Sequence, residues 1–340
     1  MTHPQAPLEQ RTLGRTGREV SVVGLGTWQL GADWGDVSEA DALDVLAASV
    51  EEGVTVLDTA DVYGDGRSEQ LIGRFLAEHP DLAGRITVAT KMGRRVEQVP
   101  EHYTLEAFRE WTDRSRRNLG VDTLDLVQLH CPPSEVIDAD ATYDALDTVV
   151  AEGRTAAYAV SVETVAQARS AIARPGVASV QLIMNAFRLK PLDEVLPAAV
   201  DAGVGIVVRV PLASGLLSGK YDRSTTFAAD DHRSYNRDGS AFDVGETFSG
   251  VDFETGLAAA EEFTTLVREH GPEGATPAQV AIAWCVQQVG VTTVIPGARN
   301  PEQARANAAA GRLGPLAPEL TDGVRRLYDA RIREQVHSRW

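Results

Sequence analysis

The 340-residue sequence predicts an α/β fold, a (β/α)8 TIM barrel in a single domain over residues 1–340. Three observations carry this. Short β-branched runs alternate with helical patterns down most of the chain, as in parallel βα units. The runs are nearly continuous in apolar residues, as strands covered on both faces are. Finally there are eight of them, and the dinucleotide fingerprint of an open sheet is missing. Residues 24–31 read GLGTWQLG, a G-x-G with no third glycine at the needed offset and a loop after it.

The elements follow in order. Residues 8–23 contain RTLGRTGREV, a β-hairpin turning at residues 14–17, and residues 20–25 (VSVVGL) open the barrel. The later strands are 54–58 (VTVLD), 86–91 (ITVATK), 124–130 (LDLVQLH), 156–161 (AAYAVS), 179–183 (SVQLI), 204–209 (VGIVVR) and 292–295 (TTVI). Helix 38–52 starts at the cap Ser38 and stops at Gly53. Helix 104–119 is capped by Thr104 and stopped by Gly120, and helix 139–152 stops at Gly153. Helix 163–173 ends before Pro175, and helix 192–202 stops at Gly203. Helix 276–289 opens with Thr276 as cap and Pro277 at its first position, and helix 301–310 stops at Gly311. A bare barrel needs about 250 residues. The surplus falls in the hairpin, in the polar, aperiodic stretch 221–252 and in a helical tail, 318–340. Long polar segments at a barrel mouth are usually functional, so 221–252 and the tail would shape the pocket.

Composition narrows the function. Lys plus Arg is 32 and Asp plus Glu 49, a net charge of −17, which repels nucleic acid and anionic lipid. Hydrophobic residues are 43% and no run is long enough to span a membrane. Residues 1–11 are polar and carry Pro4 and Pro7, so no signal-peptide core is expected there. Two cysteines, Cys131 and Cys285, make neither a disulfide framework nor a zinc site, so no metal is expected. The expected location is cytoplasmic. The oligomeric state has no signal.

Strand C-termini form the active face of such a barrel. Four of them carry unusual side chains: Asp58, Lys91, His130 and Ser161. Tyr63 follows Asp58 on the same loop, in DTADVYG. Lys91 and Asp58 alone would be a structural ion pair. With Tyr63 and His130 they become an acid–base group. A phenol of pKa about 10 is a poor acid at neutral pH, and a nearby ammonium lowers that value. Tyr63 would then protonate a developing alkoxide, with Asp58 holding Lys91 and His130 orienting the oxygen. No such side chain reduces a carbonyl, so a nicotinamide is needed. Its phosphates find basic partners in two places. One is IPGARNPEQARAN (residues 295–307), with Gly297, Arg299, a helix N-terminus at Pro301, and Gln303 and Asn307 on one helical face. The other is RVPLASGLLSGK (residues 209–220), with Arg209, Pro211, Leu212, Ser214, Gly215 and Lys220. Trp28 and Trp34 follow the first strand and are candidates to line a substrate pocket with Tyr63 and His130.

DTADVYG, VATK, LVQLH, GLGTWQLG, PLASGLLSG and IPGARNPEQARAN, in this order, resemble the aldo-keto reductase family over nearly the whole chain. The resemblance implies Asp58, Tyr63, Lys91 and His130 as catalytic group, with Tyr63 the proton donor. It implies NADPH/NADP+, rather than NADH, across the barrel top, bordered by Thr27, Trp28 and Asp58, with Ser161 and Gln181 on the carboxamide and Arg299 at the 2′-phosphate. The partner is a small carbonyl or alcohol substrate. Two positions depart from the family. Ser161-Val162 stands where Ser-Asn is common, and Arg209 stands where an aromatic ring often stacks on the nicotinamide. A guanidinium stacks less comfortably on the oxidised, cationic ring than on the reduced one. Arg209 therefore predicts a bias toward NADPH over NADP+. The family also resembles channel β-subunits, which leaves a non-catalytic NADPH-binding regulatory subunit as the alternative. A Schiff-base aldolase using Lys91 is a third class.

Overall fold

The computed structural model describes residues 6–31, 37–82 and 84–340. Eight parallel strands run in sequence order around one sheet. They are β3 (Leu25–Gly26), β4 (Val56–Asp58), β5 (Thr87–Met92), β6 (Leu126–His130), β7 (Tyr158–Ser161), β8 (Val177–Ile183), β9 (Gly205–Arg209) and β10 (Thr293–Val294). The edges meet through bridges Val23–Val294 and Gly26–Gly297 and a backbone bond from Gly24 N–H to Val294 O (2.8 Å), which curl the sheet into a barrel.

The expected first strand, 20–25, divides. Its start joins the hairpin, in which β1 (Gln10–Thr12) pairs antiparallel with β2 (Glu19–Ser21), and only its end enters the barrel. The hairpin lies across the barrel floor. Its turn packs against the starts of β8 and β9, where Gly14 has a φ of 47° and a Cβ would overlap the Ala178 carbonyl. Only glycine takes that backbone without strain and leaves room for the contact.

Helices α1 (Glu39–Glu51), α2 (Arg67–Glu78), α3 (Leu105–Leu119), α4 (Ser134–Asp138), α5 (Asp140–Ala151), α6 (Val165–Ile172) and α7 (Lys190–Ala202) cover the barrel in turn. They are followed by α8 (His232–Tyr235), α9 (Phe253–His270), α10 (Pro277–Val286), α11 (Pro301–Ala310), α12 (Pro318–Leu327) and α13 (Arg333–Val336). The caps act as read: Ser38, Thr104 and Thr276 accept from the backbone N–H groups of Asp41, Ala107 and Gln279. Helix α6 begins two residues later than expected. Thr164 forms a capping box with Gln167, so Glu163 lies outside the helix.

The barrel interior explains where the site sits. Leu13, Val20, Val56, Ala89, Leu126, Ala159, Ala178, Val207 and Ile295 form one buried apolar cluster. Side chains alternate across a strand with period two. Two residues beyond five of these positions stand Asp58, Lys91, Gln128, Ser161 and Arg209, and beyond Ile295 stands Gly297. A polar layer therefore lies directly above the apolar one, at the strand C-termini.

Candidate active site

The polar layer is built around an ion pair. Lys91 Nζ donates to Asp58 Oδ1 (2.5 Å) and to the Thr59 carbonyl (2.9 Å) and stands 3.5 Å from Tyr63 Oη. Lys91 is 1% exposed and Asp58 3%. Two buried charges cost several kcal/mol of desolvation unless every remaining valence is met. Here they are met. Asp58 Oδ2 accepts from Gln181 Nε2 (2.7 Å) and Gln128 Nε2 (3.0 Å), and the two amides bond each other at 3.1 Å. Burial pulls the Lys91 pKa down, but Asp58 and Tyr63 together outweigh it and hold the ammonium above its ordinary value.

Tyr63 opens the turn Tyr63–Gly66 after β4, with its ring edge against His130 at 5.9 Å between centroids. Its phenol departs from expectation. Lys91 does pull the pKa down, but burial is the larger influence, and with Asp58 it raises the value above 10. The phenol is thus a loaded proton donor stabilised in its neutral form. His130 is held well below the ordinary imidazole value by burial, then by Arg94, Lys91 and Arg209. It is neutral, and its Nδ1 is buried with no hydrogen-bond partner among the described residues.

Several candidate cofactor residues are held by contacts within the protein. The amide nitrogen of Gln181 is directed at Asp58 and Gln128. Ser161 Oγ lies 3.3 Å from Cys131 Sγ. Thr27 Oγ1 donates to the Asp58 carbonyl (2.9 Å). Ser214 Oγ donates to the Glu246 carbonyl and accepts from Phe248 N–H. Gln303 Oε1 accepts from Arg299 N–H, and Asn307 Nδ2 donates to the Gly297 carbonyl. Pro211 is buried, Leu212 and Gly215 are half-buried, and Lys220 and Arg299 are exposed. Trp34 lies outside the described residues.

Arg209 is the largest revision. It is 9% exposed and fixed in a quartet that sequence reasoning missed. Its Nη2 meets Glu163 Oε2 at 3.0 Å, and its Nη1 meets Glu246 Oε1 at 3.4 Å. Arg94 closes the ring, on Glu163 Oε1 (3.1 Å) and Glu246 Oε1 (3.2 Å). A guanidinium with two carboxylates is not the bare cation that the bias toward NADPH assumed. Glu163, Glu246 and Cys131 also bring possible metal-ligand atoms within 4.8 Å of one another, but both carboxylates are already bound to guanidinium groups. Burial pushes the Cys131 thiol up to about 12, so it is protonated and unreactive. Backbone strain marks the same rim. Cys131 after His130 and Val210 after Arg209 have φ of 50° and 55°, and for a β-branched residue that is an outlier.

The segment 221–252 is an ordered strap over the mouth. Trp28, expected near substrate, packs against His232 (5.1 Å), Phe242 (6.1 Å) and Tyr63 (6.3 Å). The strap also bonds to the barrel through Asn185 Nδ2 to Ser249 Oγ (2.8 Å). Behind Tyr63, Asp61 is fully buried, and neither carboxylate oxygen makes a hydrogen bond among the described residues. Burial and then Glu69 raise its pKa to about 7. Some of the missed residues carried a positional signal. Gln128 lies two residues before His130 on the same inward face, while Arg94 and Glu163 follow strand ends. Glu246 and His232 had none.

Residues 22–329 match the model of the Aldo/keto reductase family. The chain is 28% identical to an aldo-keto reductase, YhdN, of Bacillus subtilis over 302 residues, 88% of this chain and 87% of that protein. It is 27% identical to a probable voltage-gated potassium channel subunit beta of Arabidopsis thaliana, over 95% of this chain and 98% of that one. Among solved structures it is similar to the holo form of an aldo-keto reductase from Bacillus halodurans, with TM-score 0.73 and 26% identity, covering 96% and 99% of the two chains.

Proposed function

The chain belongs to the aldo/keto reductase family, and from that premise we propose that it reduces an aldehyde or ketone to an alcohol, reversibly, with NADPH as cofactor. The observation that carries this is the Lys91–Asp58 pair directed at Tyr63 Oη beside a neutral His130. Bound NADPH supplies the hydride. Tyr63 supplies the proton, and its raised pKa keeps the phenol loaded until a carbonyl oxygen gains negative charge. Lys91, 3.5 Å away, then stabilises the phenolate left behind. Asp58 keeps that ammonium in place, while Gln128 and Gln181 keep Asp58 in place. His130, being neutral, can donate one hydrogen bond to the substrate oxygen without competing for the proton. The aromatic wall of Trp28, His232 and Phe242 excludes water from the reacting centre.

The residues present fit the cofactor. Arg299 is exposed just before the N-terminus of α11, where a phosphate is favoured by helix N–H groups and guanidinium together. Arg209 and Lys220 bracket the Ser214–Gly215 bend. A Schiff base on Lys91 needs a neutral amine, and Asp58 holds this one charged.

Similarity to a probable channel subunit supports a second reading, a non-catalytic NADPH-binding regulatory subunit. Turnover separates the two. With a reactive aldehyde the protein should oxidise NADPH, and Tyr63→Phe should lose turnover by about a hundredfold or more while NADPH still quenches tryptophan fluorescence. A fully active Tyr63→Phe protein refutes the role of Tyr63. NADPH binding without turnover of any aldehyde or ketone favours the regulatory reading.

A further inference from the structure

We propose that Glu163 and Glu246 set the relative affinity of the oxidised and reduced nicotinamide, by balancing the charge of Arg94 and Arg209 beside the reacting centre. This rests on the reductase reading above.

Hydride transfer needs its reacting atoms about 3–3.5 Å apart. The carbonyl oxygen must at the same time reach Tyr63 Oη. Any productive nicotinamide therefore lies within a few ångströms of Tyr63 and His130. Those two groups already feel the quartet: Glu246 and Arg94 act on Tyr63, and Arg94 and Arg209 on His130. The nicotinamide ring is neutral when reduced and carries a positive charge when oxidised. Two uncompensated guanidiniums at that range would weaken the oxidised form selectively.

The structure places one carboxylate on each side of them. Glu163 comes from the end of β7 and uses both oxygens, Oε1 on Arg94 and Oε2 on Arg209. Glu246 comes from the strap and bridges both arginines through Oε1. Burial and Asp243 work against ionising Glu163, but Arg209, Arg94 and a hydrogen bond from Cys131 outweigh them and hold its pKa low. Arg209 is likewise held charged, against burial, by Glu163 and Glu246. Arg188, whose guanidinium donates to the Glu163 carbonyl, and Asp243 also act on Glu163, so three positive and three negative charges sum to zero. Glu163 directly follows Val162, one of the two positions that depart from the family pattern, and it meets Arg209, the other.

Removing one carboxylate while keeping its shape leaves one net positive charge. With an effective dielectric of about 20, one unit charge within about 10 Å of a cationic ring changes its affinity by about tenfold or more. The experiment titrates NADPH and NADP+ separately into the full chain, reading tryptophan fluorescence, for wild type, Glu163→Gln, Glu246→Gln and Arg94→Gln. Both glutamate variants should raise the Kd ratio of NADP+ to NADPH about tenfold, equivalent to about +30 mV in the potential of the bound couple. Arg94→Gln should lower the ratio by a comparable factor. A ratio unchanged within about twofold in both glutamate variants overturns the proposal. So does an equal loss of both nucleotides, which marks a purely structural role. Because the two glutamates sit on different elements, misfolding of one variant leaves the other decisive. If the wild type binds neither nucleotide, the reductase reading itself fails.

Discussion

Two polar clusters share the mouth of the barrel, and they are built differently. The lower one, Asp58, Lys91, Gln128 and Gln181, consists of inward-facing strand residues fixed by sheet register. Its valences are closed, and its two charges are about as buried as side chains become. The upper one, Arg94, Glu163, Arg209 and Glu246, draws three of its members from loops. Its side chains remain 11–20% exposed. In the proposed reading the lower cluster positions one proton rigidly, and the upper one balances charge where the nicotinamide ring changes charge, anchored partly to the strap. The contrast shows that chemistry here rests on backbone geometry and charge tuning on side chains brought together by loops.

The sharpest way to break the lower cluster is Lys91→Met. It leaves Asp58 buried and unpaired, and should cost about 3–5 kcal/mol in urea unfolding. Asp58→Asn combined with Lys91→Met should recover much of that loss. An additive double variant would show that the two residues are not coupled.

Asp61 adds a pH-dependent contrast. Its folded pKa of about 7 lies above the unfolded value of about 3.9. The folded state therefore holds the proton more tightly, and stability falls as pH rises from about 4 to 7. Asp61→Asn should flatten that fall and raise stability at pH 8 by up to about 4 kcal/mol. Matched unfolding curves at pH 5 and pH 8 check the sign.

The upper region should yield locally. Ser214→Ala removes the hydroxyl that joins Glu246 O and Phe248 N–H, worth about 1–2 kcal/mol. Hydrogen exchange over residues 244–250 should accelerate, with little change at β4 to β6. Uniform acceleration would mean that the strap is no separate unit. The smallest effect lies outside both clusters. Thr104→Ala deletes the cap of α3 and should cost about 1 kcal/mol, with cofactor affinity unchanged.

Much of this architecture was legible. The hairpin, eight strands and most helix ends follow from local signals: Ser38, Thr104 and Thr276 as caps, Gly120 and Gly203 as left-handed stops. Four helices were not anticipated: the short α4 and α8, which are one turn each in loops, and the longer α2 and α9. Helix α2 starts from Gly66, which offers no side-chain cap, and contains Gly73. That glycine is required because a Cβ would meet the Leu119 carbonyl of α3. Helix α9 starts at Asp252, where the polar stretch seemed to be merely ending.

The strand-end residues Asp58, Lys91 and His130 could be named because strand polarity alone brings them to one face. Among the described residues no helix is long and apolar enough to cross a membrane, consistent with the run lengths read from the sequence. What the chain determined by itself is local: hydrogen-bond caps, turns and the period-two alternation act over a few residues. Tertiary structure decided the state of the charges. Arg94 and Glu246 are 152 residues apart, and Lys91 and Asp58 are 33 apart. Whether an arginine is a bare cation or half of a neutral pair depends on Coulomb energies that vary with ångström distances and with burial. The loaded phenol of Tyr63 and the compensated guanidinium of Arg209 both turn on that dependence, which no sequence spacing encodes.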